Sequence, residues 1–315
     1  MLHFKPNRAG MGRALRCLGE GILALLVCLS AGAQESYRYA LGTSGLKAAT
    51  VPPAGNYWLF YNFIYSADQL LDGAGNPQQA PGSGEPVDFD LYAYANAHRF
   101  VFVTGHQILG ADYSWNFAVP FVGTDLKITN YGVADSSFAL GDIYVEPFVI
   151  EWHLPQIDFG VGYGLIAPSG PRRADRPSLP GKEYWTHYPM YGVTYYFDEE
   201  RTWTAAMLGR YEANTGLQGR DYRPGDHFNF EWGIAKSIRT LDVGVSGYCD
   251  WQVTSDSGTD PANTGVRDRS FAIGPEVHYF FAKRKFGLHV RAWWEFGARD
   301  RSQGEIITVT FVKPL

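Results

Sequence analysis

The chain has 315 residues, of which 45% are hydrophobic and 16% aromatic, and its mean hydropathy is −0.20. Beyond the N-terminus no stretch approaches the roughly 20 apolar residues of a membrane-spanning helix, which argues against a helical membrane protein. The formal net charge of −5 argues against nucleic-acid binding, and three cysteines are too few for a disulfide framework.

The first 33 residues predict a cleaved secretory signal. Basic residues precede a short apolar run at 22–29, and the run is followed by the A-x-A-like site Ala31–Gly32–Ala33. Translation starts at either Met1 or Met11. Removing 1–33 leaves 23 basic and 31 acidic residues, a net charge of −8, and only Cys249 among the cysteines. We therefore expect an exported protein without an internal disulfide.

Residues 34–54 are polar and contain glycine and proline, which predicts a short irregular segment ahead of a barrel at 55–315, either in the periplasm or folded into the lumen. The first strand of that barrel, about 56–66, is aromatic on both faces, so its register is ambiguous. The second strand, about 87–104, changes phase near His98 and Arg99, which predicts a bulge there.

Residues 157–166 show the strand pattern most clearly. Ile157, Phe159 and Val161 have one parity, and Asp158 and the following glycines have the other. Alternation with period 2 places the two sets on opposite faces of a strand. A continuous apolar face opposite a small polar face is typical of a strand between hydrocarbon and an aqueous lumen.

The same pattern recurs along the chain and predicts about twelve strands. Long polar connections, including 120–140 and 168–184, alternate with short turns. We therefore predict an all-β fold: a transmembrane antiparallel up-and-down β-barrel with long extracellular loops and short periplasmic turns. The remaining predicted strands are at about 111–119, 142–152, 191–197, 203–212, 228–234, 241–253, 271–281, 286–296 and 305–311.

A lumen of about twelve strands is narrow but wide enough for a small solute. The inward parity carries opposed charges, which either form a polar constriction or pair simply to satisfy one another. The predicted lumen-lining residues are Asp158, Arg210, Glu231, Asp242, Glu276, His278, His289, Arg291 and Glu295.

Two prolines fall inside predicted strands. Pro147 and Pro275 each remove a hydrogen bond from the wall, which predicts a bulge or, alternatively, a lateral gap that lets apolar solutes leave into the bilayer.

Catalytic signals are weak. No Gly-x-Ser-x-Gly motif stands on a strand, and His278 and His289 lack the further ligands of a zinc site. We therefore expect no enzyme activity, no metal and no cofactor.

Four stretches resemble one known family. They are 98–113, 141–152, 214–226 and 228–233, and together they are similar to the outer-membrane family named for the MetA pathway of phenol degradation. The resemblance extends from about Leu41 to Phe311. It implies an outer-membrane transporter associated with the breakdown of aromatic or other hydrophobic compounds, and it brings no catalytic residues. The chain ends four residues beyond Phe311, whereas outer-membrane barrels commonly close on a terminal aromatic residue.

Taken together, the sequence predicts a channel in the outer membrane of a Gram-negative bacterium for passive uptake of small hydrophobic or aromatic compounds. The expected partners are outer-membrane lipids, the solute and the barrel-assembly machinery. Two alternatives stay open: a barrel enzyme that modifies lipid, and a non-conducting structural or adhesive barrel.

Overall fold

The computed structural model describes residues 38–260 and 265–315, and nearly all of its regular structure is β-strand. In this described part no helix is long and apolar enough to cross a membrane. The predicted signal, 1–33, lies outside the described residues. The strands are β1 (Gly55–Leu71), β2 (Phe89–Ile108), β3 (Ala111–Ile128), β4 (Val133–Leu140), β5 (Ile143–Leu154), β6 (Ile157–Ala167), β7 (Thr186–Tyr196), β8 (Trp203–Asn214), β9 (His227–Ile238), β10 (Leu241–Gln252), β11 (Arg269–Phe281), β12 (Phe286–Arg299) and β13 (Arg301–Pro314).

These strands form a closed antiparallel barrel. Except at β4 and β5, which both pair with β3, each strand pairs with its neighbour in sequence, and β1 pairs with both β2 and β13, which closes the sheet. β4 and β5 are two halves of one barrel strand, because β4 pairs with the 121–128 part of β3 and β5 with its 112–118 part. The break between the halves is at Gly141–Asp142. The barrel is therefore twelve-stranded, which confirms the predicted fold class.

The barrel has two distinct ends. At the turn end, Tyr57 of β1 pairs with Pro314 of β13, and short turns such as 109–110 and 155–156 connect the strands. At the loop end lie the long connections 72–88, 168–185 and 215–226. This arrangement matches the periplasmic turns and extracellular loops of bacterial barrels.

One predicted long connection is wrong. Residues 120–140 form the upper part of β3, a short 3₁₀ turn at Thr129–Tyr131, and β4. The polarity of the hairpin is reversed here: Leu126 and Ile128 face inward and are buried with Phe89, while Lys127 points away. In this part of the barrel, near the loop end, the interior is the apolar side. These strands therefore lack the outward apolar row by which the other strands are predicted from the sequence.

The outward face of the spanning part is apolar. On β6, Phe159, Val161 and Tyr163 are exposed whereas Asp158 is fully buried, as the alternation predicts. The inward glycines of β6 make room for large neighbours, since a Cβ at Gly164 would lie 2.3 Å from the ring of Tyr188. A small inward residue on one strand therefore accommodates an aromatic side chain on the next.

The bulge predicted near His98 and Arg99 is wrong. Pairing with β1 and β3 continues unbroken through both residues, and the register shift lies between Val103 and Gln107. His98 points outward, where Trp58 Nε1 donates to its Nδ1 at 3.2 Å and the two rings stack. In the sequence, a polar residue on the outer face therefore looks like a switch between the inward and outward parity, although its hydrogen bond is made on the outer face.

Residues 38–54, the luminal segment, enter the barrel rather than the periplasm. Near the loop end Arg38 donates to the carbonyl of Tyr184 at 2.5 Å, and at the turn end the segment joins β1 at Gly55. Between these points it forms two tight turns, closed by Ala48 N to Gly45 O at 3.1 Å and Thr50 N to Lys47 O at 3.0 Å. Of the two positions that the sequence leaves open, the structure has the luminal one, where the segment's own N–H groups find acceptors.

Candidate functional site

Carboxylates on the barrel wall hold the backbone of the luminal segment. An irregular segment leaves its N–H groups without ladder partners, and buried N–H groups require acceptors. Three inward glutamates on three different strands provide them. Glu212 accepts from Arg38 N at 2.7 Å, Glu231 from Gly42 N at 2.8 Å and Ser44 N at 2.9 Å, and Glu151 from Val51 N at 2.9 Å.

Two buried ion pairs support these contacts. Arg210 Nη1 lies 3.0 Å from Glu231 Oε2, and both side chains are almost completely buried. The Arg210 guanidinium also stacks on the ring of Tyr39, 3.5 Å from its centroid. Arg291 lies 2.6 Å from Glu276 and donates to the carbonyl of Ser44 at 2.7 Å. These charges therefore satisfy each other and the luminal segment at once.

The other predicted lumen residues also lie on the inward face. Asp242 pairs with Lys47 of the luminal segment at 2.9 Å, and the rings of His278 and His289 stack with centroids 3.6 Å apart. The remaining two are held by hydroxyls: Asp158 accepts from Tyr196 at 2.6 Å and Thr50 at 3.1 Å, and Glu295 from Tyr65 at 2.9 Å. Asp242 and Asp158 thus contact the luminal segment directly, whereas Glu295 is held by a residue of the wall.

Two cavities lie beside the luminal segment. The upper one borders the small inward residues of β2 and β3, and the lower one is lined from several sides of the barrel, including His278, His289 and Arg291. The upper cavity, of about 280 Å³, reaches the loop residues Pro180 and Lys182. The lower cavity, of about 580 Å³, reaches Pro53 and Pro314 at the turn end.

The two cavities meet at a network of polar side chains. Arg99 donates from Nη2 to Glu146 at 2.6 Å and from Nε to Asn116 at 2.9 Å, and Asn116 in turn donates to Glu146 at 2.6 Å. The hydroxyl of Tyr188 donates to the second oxygen of Glu146 at 3.1 Å. Arg99, Asn116 and Glu146 line both cavities, so this network, the junction, separates them.

Pro147 lies directly beside the junction. Register shifts occur on both sides of it, between Ser114 and Asn116 in the β3–β5 pairing and between Val145 and Phe148 in the β5–β6 pairing. Glu146 lies within the β5–β6 shift and at the edge of the β3–β5 shift, and its side chain points inward to Arg99. By contrast, Pro275 opposes Val245, and the β11–β12 register is the same before and after it.

Two groups of described residues have ligand atoms close enough to hold a metal ion: Glu151, His153 and Asp158, and His227, Asp250 and Asp268. Each group also has an arginine near one carboxylate, Arg201 at 3.9 Å from Asp158 and Arg301 at 3.8 Å from Asp250. A cation bound at either group would compete with that arginine for the carboxylate.

At the loop end, contacts with loop residues hold the start of the luminal segment. Arg38 lies over the ring of Tyr184 at 4.5 Å and pairs with Asp142 at 2.5 Å. Burial raises the pKa of the Tyr184 hydroxyl, which stays neutral. In the neighbouring loop, burial and the hydrogen bond to Asp256 raise the pKa of Tyr222. These contacts fix the loops around the upper cavity.

Sequence reasoning missed the junction. The available signal was the small inward row Ala93, Ala95 and Ala97 that ends at Arg99. The apparent phase change at His98 hid this row. Glu146 was placed on a predicted strand, but its contact with Arg99 crosses 47 residues of sequence.

A closed twelve-stranded barrel with an apolar outer face and a charged interior defines an outer-membrane β-barrel with the fold of a channel. More narrowly, residues 74–311 match the family model described as "Putative MetA-pathway of phenol degradation", and the chain belongs to that family. No curated protein sequence matches the chain.

Solved structures agree on the fold. The COG4313 outer membrane channel from Pseudomonas putida F1 is 12% identical and superposes with a TM-score of 0.73, covering 88% of this chain and 100% of that one. Looser matches are the β-domain of the Bordetella autotransporter BrkA (11% identity, TM-score 0.47, 83% and 100% covered) and a Pseudomonas aeruginosa FadL homologue (11%, 0.41, 83% and 90%).

Proposed function

We propose that the protein is a passive channel through which small hydrophobic or aromatic compounds cross the outer membrane. The observation that carries this proposal is the pair of cavities beside the luminal segment, which meet at the junction. The description of the family and the channel from Pseudomonas putida F1 with the same fold support the proposal.

The cavities and the junction form a nearly complete path through the barrel. Along this path only side chains, those of Arg99, Glu146 and Asn116 among them, separate the upper cavity from the lower one. Side chains change rotamer far faster than strands or the luminal segment rearrange. A solute can therefore pass the junction while the barrel and the segment stay in place.

Solute entry into liposomes that carry the refolded barrel tests the proposal. After the leak of empty liposomes is subtracted, we expect phenol-sized apolar compounds to enter faster than sugars of similar size. Thr43→Trp, on the luminal segment where the two cavities meet, should reduce this entry to the leak rate. Thr240→Trp, in an exposed turn, is the matched control and should leave entry unchanged. No entry of any solute into wild-type liposomes would overturn the channel and favour a non-conducting barrel.

A lateral exit at Pro147 is a second version of the route. The wall loses regular pairing on both sides of this residue, whereas the register is continuous at Pro275. If solutes leave sideways, Pro147→Val should slow the entry of apolar compounds, and Pro275→Val is the matched control. Equal entry in both variants would exclude the lateral exit and leave the path along the lumen.

A further inference from the structure

The upper cavity has the size and lining of a binding site rather than of an open pore. Its volume is about 280 Å³. A cavity of about 150 Å³ lined by apolar side chains is sufficient to bind benzene. The upper cavity therefore has room for one substituted ring, and it is too small for a long chain or a disaccharide.

One wall of the cavity is a row of alanines. Ala93, Ala95 and Ala97 follow each other on the inward face of β2, and Ala118 lies beside them on β3. Any larger residue in this row would occupy the space. Phe63 of β1 pairs with Ala95 and extends the same wall, and Leu41 of the luminal segment faces it across the cavity. An apolar ring would therefore lie against the alanines, with Phe63 beside it and Leu41 on the other side.

The floor of the cavity is polar but carries no net charge. Arg99 is paired with Glu146 at 2.6 Å, so the two charges cancel. Tyr61 also lines the floor, and Arg99, Tyr61 and Asn116 all carry N–H or O–H donors there. Such a floor favours a neutral solute with an acceptor oxygen. An anion would compete with Glu146 for Arg99.

From this arrangement we infer that the upper cavity is a binding site for a neutral single-ring molecule with one hydroxyl or carbonyl oxygen, and that Arg99 determines this specificity. The inference rests on the proposed function, since the cavity is one part of the proposed path. The ring lies against the alanine row, and its oxygen accepts a hydrogen bond at the floor.

Equilibrium binding to the refolded barrel in detergent micelles tests the inference separately from transport. The probes are phenol, toluene and benzoate, and binding to empty micelles is subtracted. We expect phenol to bind about tenfold more tightly than toluene, because toluene lacks the oxygen that meets the polar donors. Benzoate should bind more weakly than phenol. This ranking in the wild-type protein requires no variant, and benzoate binding as tightly as phenol would overturn the inference.

Variants locate the site. Ala95→Phe fills the cavity and should abolish phenol binding, whereas Ala205→Phe makes the same change on the outward face of β8 and should preserve it. Removing the charged pair together, with Arg99→Met and Glu146→Gln, should abolish the preference for phenol over toluene while toluene binding persists. Phenol binding that survives Ala95→Phe would place the site elsewhere.

Binding and transport fail in distinguishable ways. Phenol binding that Ala95→Phe abolishes, in a barrel that admits no solute into liposomes, would support the site and overturn the channel. Entry of phenol without saturable binding would support the channel and overturn the site.

Discussion

The lumen has two sides that use their inward residues differently. On β8 to β12 the inward face includes long charged side chains, and Arg210, Glu231 and Glu276 contact the luminal segment or each other. On β2 the inward residues from Ala93 to Ala97 are all alanine and leave a cavity. The charged side is occupied by the chain itself, and the alanine side has room for a solute.

This difference changes how lumen charges are interpreted. Charges around a narrow pore suggest a polar filter for a passing solute. Here the carboxylates of Glu212 and Glu231 accept hydrogen bonds from the backbone of residues 38–44. Their main role in this structure is therefore to anchor the segment, and the segment in turn directs any path to the opposite side.

Glu231→Ala should lower the unfolding free energy more than the other changes proposed below, because Glu231 contacts both Arg210 and the luminal segment. The change leaves Arg210 buried without its partner and removes the acceptor of Gly42 N and Ser44 N. Removing one member of a buried pair costs about 3 to 5 kcal/mol of unfolding free energy. Urea unfolding of the barrel in vesicles measures this loss. Sugar entry should also rise as the segment loosens.

The matched control for this prediction is Glu305→Ala, on the exposed outer face of β13. It should change the unfolding free energy by no more than about 0.5 kcal/mol. Equal losses in the two variants would show that Glu231 does not anchor the segment.

Two substitutions that each add a small group, Gly45→Ala and Ala93→Val, compare how tightly the two sides of the lumen are packed, and their expected effects on stability are intermediate. A Cβ at Gly45, on the charged side, would lie 2.1 Å from Glu276 Oε2. Gly45→Ala should therefore destabilise the barrel by about 1 to 3 kcal/mol through overpacking. Ala93→Val adds atoms to the open cavity instead and should cost about 0.5 kcal/mol or less. Urea midpoints of both variants, measured side by side, decide whether the two sides differ in packing.

The sequence predicts the wall of the barrel better than its contents. Period-2 alternation in strands such as 157–166 follows from contact with hydrocarbon on one face, so the strand number and the outward rows are predictable. The luminal segment has no such pattern. Its contacts are made by backbone N–H groups, which every sequence supplies, so the position of residues 38–54 inside the barrel depends on the tertiary structure.

The junction shows a second limit of sequence reasoning. Arg99 and Glu146 are 47 residues apart, and Glu146 reaches Arg99 from within the register shift beside Pro147. Pro147 is recognisable in the sequence as a site of lost pairing, but the residue that the bulge orients is not. Likewise, the outward-facing His98 accepts a hydrogen bond from Trp58, which is 40 residues away in sequence.

The smallest effect on stability is expected for Asp198, an exposed carboxylate at the turn end. Its contribution provides a reference for those of the buried carboxylates. Asp198 accepts from the hydroxyl of Thr202 at 2.5 Å and from Trp203 N at 2.7 Å, and these bonds hold the pKa of Asp198 below its usual value. Because the folded pKa is the lower one, this stabilisation is complete above the unfolded pKa of about 3.9 and is lost as pH falls through the folded value. Asp198→Asn should therefore lower the urea midpoint slightly at pH 6 and not at pH 2. A difference that persists at pH 2 would show that the ionised carboxylate does not stabilise this turn.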